Sequence, residues 1–140
     1  MKRKFSKVKG ILFWVTGFSG SGKSEISYKI KKEIENKFGK TLIISGDNFR
    51  KSFNFKNYDK ISRIELGKKY INFLKIFLDQ NINVIFTVVG LYNDIRKFGK
   101  KKIKNYFEIF INTDIKKIKH NSKKIHYKKK QKNILGLDLK

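Results

Sequence analysis

Gly17-Phe18-Ser19-Gly20-Ser21-Gly22-Lys23-Ser24 fits the spacing G-x-x-x-x-G-K-[ST], the pattern of a phosphate-binding loop. Each residue type has a physical reason. Glycines at 17, 20 and 22 allow backbone angles and a close anion approach that side chains would block. A lysine at 23 reaches the outer phosphates of a nucleoside triphosphate, and the Ser24 hydroxyl suits Mg²⁺. Asp47, Arg50 and Arg63 are further candidates. A carboxylate can orient a hydroxyl or a metal's waters, and a planar guanidinium fork suits bidentate phosphate or sulfate binding.

The flanking elements agree with this chemistry. Ile11 to Thr16 is apolar throughout and reads as a central parallel strand covered on both faces. Lys23 to Phe38 reads as a helix with Ile26, Ile30, Ile34 and Phe38 as its buried stripe and Gly39 at a left-handed cap. A loop between strand and helix presents free N–H groups and a positive dipole end to an anion. Thr41 to Ser45 is the second strand. Asp47 and Arg50 leave its C-terminal end, where ligands bind in open α/β sheets. The alternative role for Asp47 is a helix N-cap. Phe53 to Asp59 reads as a mobile aromatic and basic connection. Phe49 or Phe53 could stack on an adenine or belong to the core.

A long helix is expected over Ile61 to Asp79, with Ile64, Tyr70, Ile71, Leu74, Phe77 and Leu78 inside and Gly67 a weak point. Ile82 to Val89 and Phe107 to Asn112 read as strands, Tyr92 to Ile103 as a basic helix, and a further helix starts at Asp114. Strand and helix alternate about four times, so the expected architecture is α/β, a parallel sheet flanked by helices with right-handed crossovers.

The chain has 140 residues and a formal charge of +24, from 35 Lys plus Arg against 11 Asp plus Glu, with no Cys and no Pro. The length suits one domain: a basic leader over 1–9, then a unit over 10–140. Without cysteine there is no disulfide framework or thiolate chemistry. No apolar run approaches the ~20 residues of a membrane span, and a cytoplasmic protein is expected. The charge suits a polyanion such as RNA, but AT-rich coding with lysine on solvated faces would give the same balance. Arginine, at only Arg3, Arg50, Arg63 and Arg96, is then the more informative cation. The Lys-rich stretch over about 116–132 reads either as a solvated tail or as a lid whose cations close over phosphates. His120 and His126 lack metal-ligand spacing.

Together these residues resemble the adenylyl-sulfate kinases, P-loop NTPase-fold enzymes that move the ATP γ-phosphate onto the 3′-hydroxyl of adenosine 5′-phosphosulfate. The resemblance runs from about Lys9 to Asp138. The family loop reads G-L-S-G-[SA]-G-K-[ST]. Ser45-Gly46-Asp47-Asn48-Phe49-Arg50 is similar to its D-G-D-N-x-R, and Ser62-Arg63-Ile64-Glu65-Leu66 to its D-R-x-E-N. Leu91-Tyr92-Asn93-Asp94-Ile95-Arg96 looks like a shorter branch in which an S-P-[FY] loop is replaced. Gln131 to Asp138 is similar to E-I-K-N-x-x-G-[IL]-D. The resemblance implies a three-layer fold, ATP and Mg²⁺, and a role in sulfate assimilation. It implies ATP held by residues 17–24 and Mg²⁺ by Ser24. Lys23 and Asp47 would be catalytic, and Asp47, Arg50, Phe53 and Arg63 would hold the acceptor. A homodimer is implied as well.

The departures from the family pattern are Ser45 for an Asp, Glu25 for Thr or Ser, Leu66 for Asn, Gly90 for a phosphorylatable serine, and His120-Asn121-Ser122 for R-D-P. The chain also ends at Lys140, where the family continues. Leu66 and the replaced loop would border the acceptor, so another 5′-modified nucleotide, such as a nucleoside diphosphoramidate, is the alternative substrate. A nucleotide- or RNA-binding domain without catalysis is the alternative from another class.

Overall fold

A computed structural model of the chain describes residues 9–121. The leader before Lys9, the lysine-rich tract beyond Asn121 and the stretch from Gln131 to Asp138 lie outside the described residues. The elements run β1 (Leu12–Thr16), α1 (Lys23–Phe38), β2 (Thr41–Ser45), α2 (Gly46–Ser52), α3 (Lys60–Leu78), β3 (Asn83–Val88), α4 (Asn93–Lys102), β4 (Tyr106–Phe110) and α5 (Ile115–Asn121). None of these helices is long and apolar enough to cross a membrane.

The four strands form one parallel sheet in the order β2-β3-β1-β4. β1 pairs on both edges, from Leu12↔Val84 to Thr16↔Val88 and from Leu12↔Tyr106 to Thr16↔Phe110. Its five residues are all buried, as a near-continuous apolar run in a doubly covered parallel sheet requires. On one face Leu12, Trp14, Val84 and Phe86 pack with Leu66, Tyr70, Ile71 and Leu74 of α3 and Ile95 of α4. On the other, Phe13, Val15 and Ile85 pack with Ile34 of α1. The result is the three-layer arrangement expected.

Element bounds agree with the sequence reading to within two residues, and the differences have local causes. The stretch after β2 is helical, because Ser45 Oγ accepts the Asn48 N–H at 3.0 Å and starts α2. Asp59 Oδ1 does the same for Ser62 at 2.9 Å, so α3 begins at Lys60. On α1 the stripe is shorter than expected. Ser27 is fully buried, whereas Phe38 at the last turn is 46% exposed, though its ring meets Phe13. Gly39 has φ 92° with extended ψ and is not a left-handed helical cap. Asn83, at the start of the third strand, is a buried hub. Its Nδ2 donates to the carbonyls of Phe38 and Gly39, and its Oδ1 accepts from Ile11 N–H.

Gly67 is a packing requirement. A Cβ there would lie 2.4 Å from Ile95 Cδ1, so the glycine lets α3 and α4 close on each other. Helix propensity alone favours alanine by about 1 kcal/mol. Overpacking a buried contact costs about 1–3 kcal/mol. Gly67→Ala is therefore expected to lower the unfolding midpoint; a raised midpoint would show that α4 yields freely.

Candidate active site

The phosphate loop leaves the C-terminal end of β1 and enters α1 directly. Gly17, Gly20 and Gly22 all have positive φ, at 153°, 80° and 93°. At Gly17 a Cβ would meet the Ile111 carbonyl oxygen at 2.8 Å and Ser21 Oγ at 2.9 Å, so this position excludes a side chain on space as well as on angle. The turn is closed by Ser21 N–H donating to Phe18 O at 3.1 Å. From below, Thr113 Oγ1 donates to Ser21 O at 3.0 Å. Gly22 occupies the N-cap of α1 and has no side chain to satisfy the first-turn N–H groups, which suits an anion there. Lys23 Nζ arches back over the loop, donating to Phe18 O at 2.7 Å and Gly17 O at 3.1 Å.

Ser19, Gly20, Gly22, Lys23 and Ser24 open onto a cavity of about 1720 Å³. Asp47, Arg50 and Arg63 line the same cavity. The loop, Asp47 and Arg50, well separated along the chain, thus share one space because β1 and β2 are parallel and both release their chains at the same sheet edge.

Arg50 and Arg63 grip one ring. The Arg50 guanidinium lies 4.2 Å, and that of Arg63 5.2 Å, from the centroid of Tyr58. Arg50 Nη1 donates to Asn57 O at 2.8 Å and Arg63 Nε to Tyr58 O at 2.6 Å. The connection between α2 and α3, expected to be mobile, is thus pinned across the cavity by the two arginines. Arg50 is 9% exposed, and among the described residues no carboxylate lies within salt-bridge distance of it. Burial and the adjacent Arg50 charge both push the Arg63 pKa down. Two like charges held this close are best relieved by an anion between or beside them.

The carboxylates divide. Asp47 is exposed on the first turn of α2 and faces the cavity. The cap to which it was the alternative claimant belongs to Ser45. Glu25 also lines the cavity, but its Oε1 accepts from Lys29 Nζ at 2.7 Å, and that lysine lowers its pKa. The carboxylate is thereby turned along the helix surface.

The aromatic candidates separate too. Phe49 is core, buried against Tyr70 and Phe73. Phe53 is 55% exposed, rests 4.5 Å from Phe49, and does not line the cavity. Tyr58, Tyr92 and Trp14 do line it. Trp14 and Tyr58 carried no signal in the sequence, since Trp14 lies in an apolar strand and Tyr58 in a stretch read as a connection, whereas Tyr92 stands in the segment read as a replaced loop. Leu66 is buried in the core and is not part of the cavity wall. Gly90 is part of it, and a Cβ there would lie 2.7 Å from Trp14 Cζ2, so a serine cannot be seated without moving the indole. His120 is exposed on α5, and among the described residues no three His, Cys, Asp or Glu side chains cluster as a protein-built metal cage would need. The lysines beyond Asn121 proposed for a lid lie outside the described residues.

Ser45 gives a direct test of this geometry. Ser45→Ala is expected to lower stability by about 1 kcal/mol through loss of the cap, and Ser45→Asp to retain it. Urea unfolding checks both; equal midpoints for all three proteins would contradict the capping role.

Comparison with known proteins gives a consistent result. The sequence profile described as adenylylsulphate kinase matches residues 9–138. A cytidine diphosphoramidate kinase of Campylobacter jejuni is 31% identical over 132 residues, 91% of this chain and 78% of that protein. An adenylyl-sulfate kinase of Clostridium kluyveri is 31% identical over 144 residues, 99% of this chain and 72% of that one. The APS kinase of Mycobacterium tuberculosis, solved in complex with AMPPNP and APS, superposes with a TM-score of 0.77 at 22% identity, covering 87% of this chain and 74% of that one. On its loop, its sheet and the match along nearly its whole length, this chain belongs to the adenylylsulphate kinase family of nucleotide phosphotransferases.

Proposed function

We propose that the chain transfers the γ-phosphate of ATP to a ribose hydroxyl of a nucleotide whose 5′-phosphate carries a second small group. The observation that carries this is the common cavity, with a phosphate loop at one side and the Arg50–Tyr58–Arg63 sandwich at another. Residues 17–24 cradle the ATP phosphates with backbone N–H groups, and Lys23 exchanges its two loop carbonyls for phosphate oxygens. The Ser24 hydroxyl would hold Mg²⁺, which would supply charge neutralisation on the triphosphate, as suits an ion usually bound by few protein ligands plus substrate phosphates. Arg50 and Arg63 hold the modified 5′ end. Asp47 orients the acceptor hydroxyl and receives its proton. The hydroxyl oxygen forms the new bond to the γ-phosphorus, the β,γ-bridging bond breaks, and ADP leaves. Positioning and charge neutralisation supply most of the rate.

For the acceptor, adenosine 5′-phosphosulfate is the first reading, supported by the family profile and the Clostridium kluyveri relative. Cytidine diphosphoramidate is the second, supported by the Campylobacter jejuni relative and by Gly90 and Tyr92 standing at the cavity where the family's usual loop is replaced.

The test is ADP release from ATP and Mg²⁺ with each acceptor in turn. Acceptor-dependent ADP with one of them is expected; background ADP with both, from protein that binds ATP, would refute the proposal. Lys23→Ala is expected to lower turnover by about a hundredfold or more. Arg63→Ala should raise the acceptor KM at least about tenfold and leave that for ATP nearly unchanged. Equal effects on both substrates would remove Arg63 from the acceptor site.

A further inference from the structure

The chain that leaves β4 clasps the phosphate loop at both ends. Ile111 N–H donates to Thr16 O at 2.8 Å, just before the loop begins. The Ile111 carbonyl oxygen fills the space beside Gly17, 2.8 Å from where a Cβ would stand. Two residues later Thr113 Oγ1 donates to Ser21 O at 3.0 Å, near the end of the loop. Thr113 is itself held in place. Its N–H donates to Ile111 O at 3.2 Å. The next residue, Asp114, accepts the Lys116 N–H on Oδ1 at 2.8 Å where α5 begins. The Thr113 hydroxyl is therefore a part-buried donor with a set position.

That bond acts on the peptide unit joining Ser21 to Gly22. A trans peptide is planar, so its C=O and its N–H point opposite ways. With Ser21 O drawn toward Thr113, the Gly22 N–H is turned away from it. Gly22 opens onto the cavity, and a Cβ there would meet nothing within 4 Å. Thr113 does not line the cavity. The Gly22 carbonyl is committed elsewhere, accepting the Ile26 N–H at 3.1 Å at the start of α1. Gly20 and Gly22 flank Ser21 with φ of 80° and 93°, the kind of alternation that gathers backbone N–H groups into an anion nest. Lys23 also holds loop carbonyls, those of Gly17 and Phe18, but its ammonium is needed by the phosphates. The Thr113 bond asks nothing of a phosphate-binding group and persists when the lysine moves.

We propose that Thr113 is a positioning residue for the nucleotide: its hydroxyl locks the 21–22 peptide so that the Gly22 N–H points at the ATP phosphates. The inference rests on the proposed reading of residues 17–24 as an ATP site. It assigns to a side chain some ninety residues downstream a part in phosphate binding, exerted through Ser21 and without contact to the ligand. The hydroxyl carries the role. Valine has nearly the same shape but no donor, and would leave Ser21 O without this partner. Serine keeps the donor and loses only the methyl group.

The experiment titrates wild-type, Thr113→Val and Thr113→Ser proteins with ATP and with ADP in the presence of Mg²⁺, and measures urea midpoints alongside. Thr113→Val is expected to raise the Kd for both nucleotides by about three- to tenfold, the worth of one neutral hydrogen bond. Thr113→Ser is expected to bind within about twofold of wild type. A purely structural threonine would lower the midpoint of the valine variant and leave its Kd unchanged, and that result overturns the proposal. Equal weakening in both variants also overturns it, because the methyl group would then carry the effect. If Thr113→Val does not fold, the wild-type protein decides by amide NMR. The Gly22 N–H resonance is expected to move downfield when ATP binds, and an unmoved resonance at saturating ATP overturns the proposal. Wild-type protein that binds no ATP removes the proposed function and this role together. Wild-type binding with an equally tight valine variant removes the role of Thr113 alone.

Discussion

The structure depends on β1 being hydrogen-bonded along both edges and buried on both faces. Ten backbone pairings and two core clusters hold Leu12–Thr16 in place. The loop that follows leaves a rigid strand and enters a helix whose first turn is open to anions. Its precision is borrowed from the sheet. The Asn83 hub ties the far ends of α1 and β1 to the start of β3, so β1 and β3 run toward the cavity edge in register. Thr113 supports the loop from the chain beyond β4. A phosphate loop on a floppy strand would pay ordering entropy at every binding event; here that cost is met on folding.

The second constraint is electrostatic. Arg50 and Arg63 are drawn together around Tyr58 by carbonyls and by a ring face, although their charges repel. Such a pairing is tolerable in a part-buried site because each guanidinium has fixed polar partners. It also leaves a concentrated positive field facing the cavity. Against a formal charge of +24 spread over the whole chain, this is a local and directed arrangement.

Much of this was legible in the sequence, for identifiable reasons. The loop is a short-range pattern whose chemistry is in its own residues, and strand and helix lengths followed from periodicity. Asp47, Arg50 and Arg63 could be named because they belong to contiguous motifs. Ser45 could be seen as a departure from the family pattern, but its work as a cap needed the turn geometry of α2. Gly67 looked like a weak point because propensity acts locally, whereas Ile95 packs on it from another helix. Trp14 and Tyr58 escaped notice because a cavity wall is made by tertiary packing and leaves no periodic signal. Phe53 drew attention as an aromatic that could stack on an adenine, yet its ring lies on Phe49, away from the cavity. The lid lysines stay as a sequence reading.

The most direct test of the account is to follow the terminal phosphate itself. ATP labelled in the γ-phosphate is incubated with Mg²⁺, protein and a 5′-modified nucleotide, and the products are separated. The account predicts label on the ribose hydroxyl of the acceptor, with its 5′ group intact. Label recovered only as inorganic phosphate, or only in unreacted ATP, would contradict it.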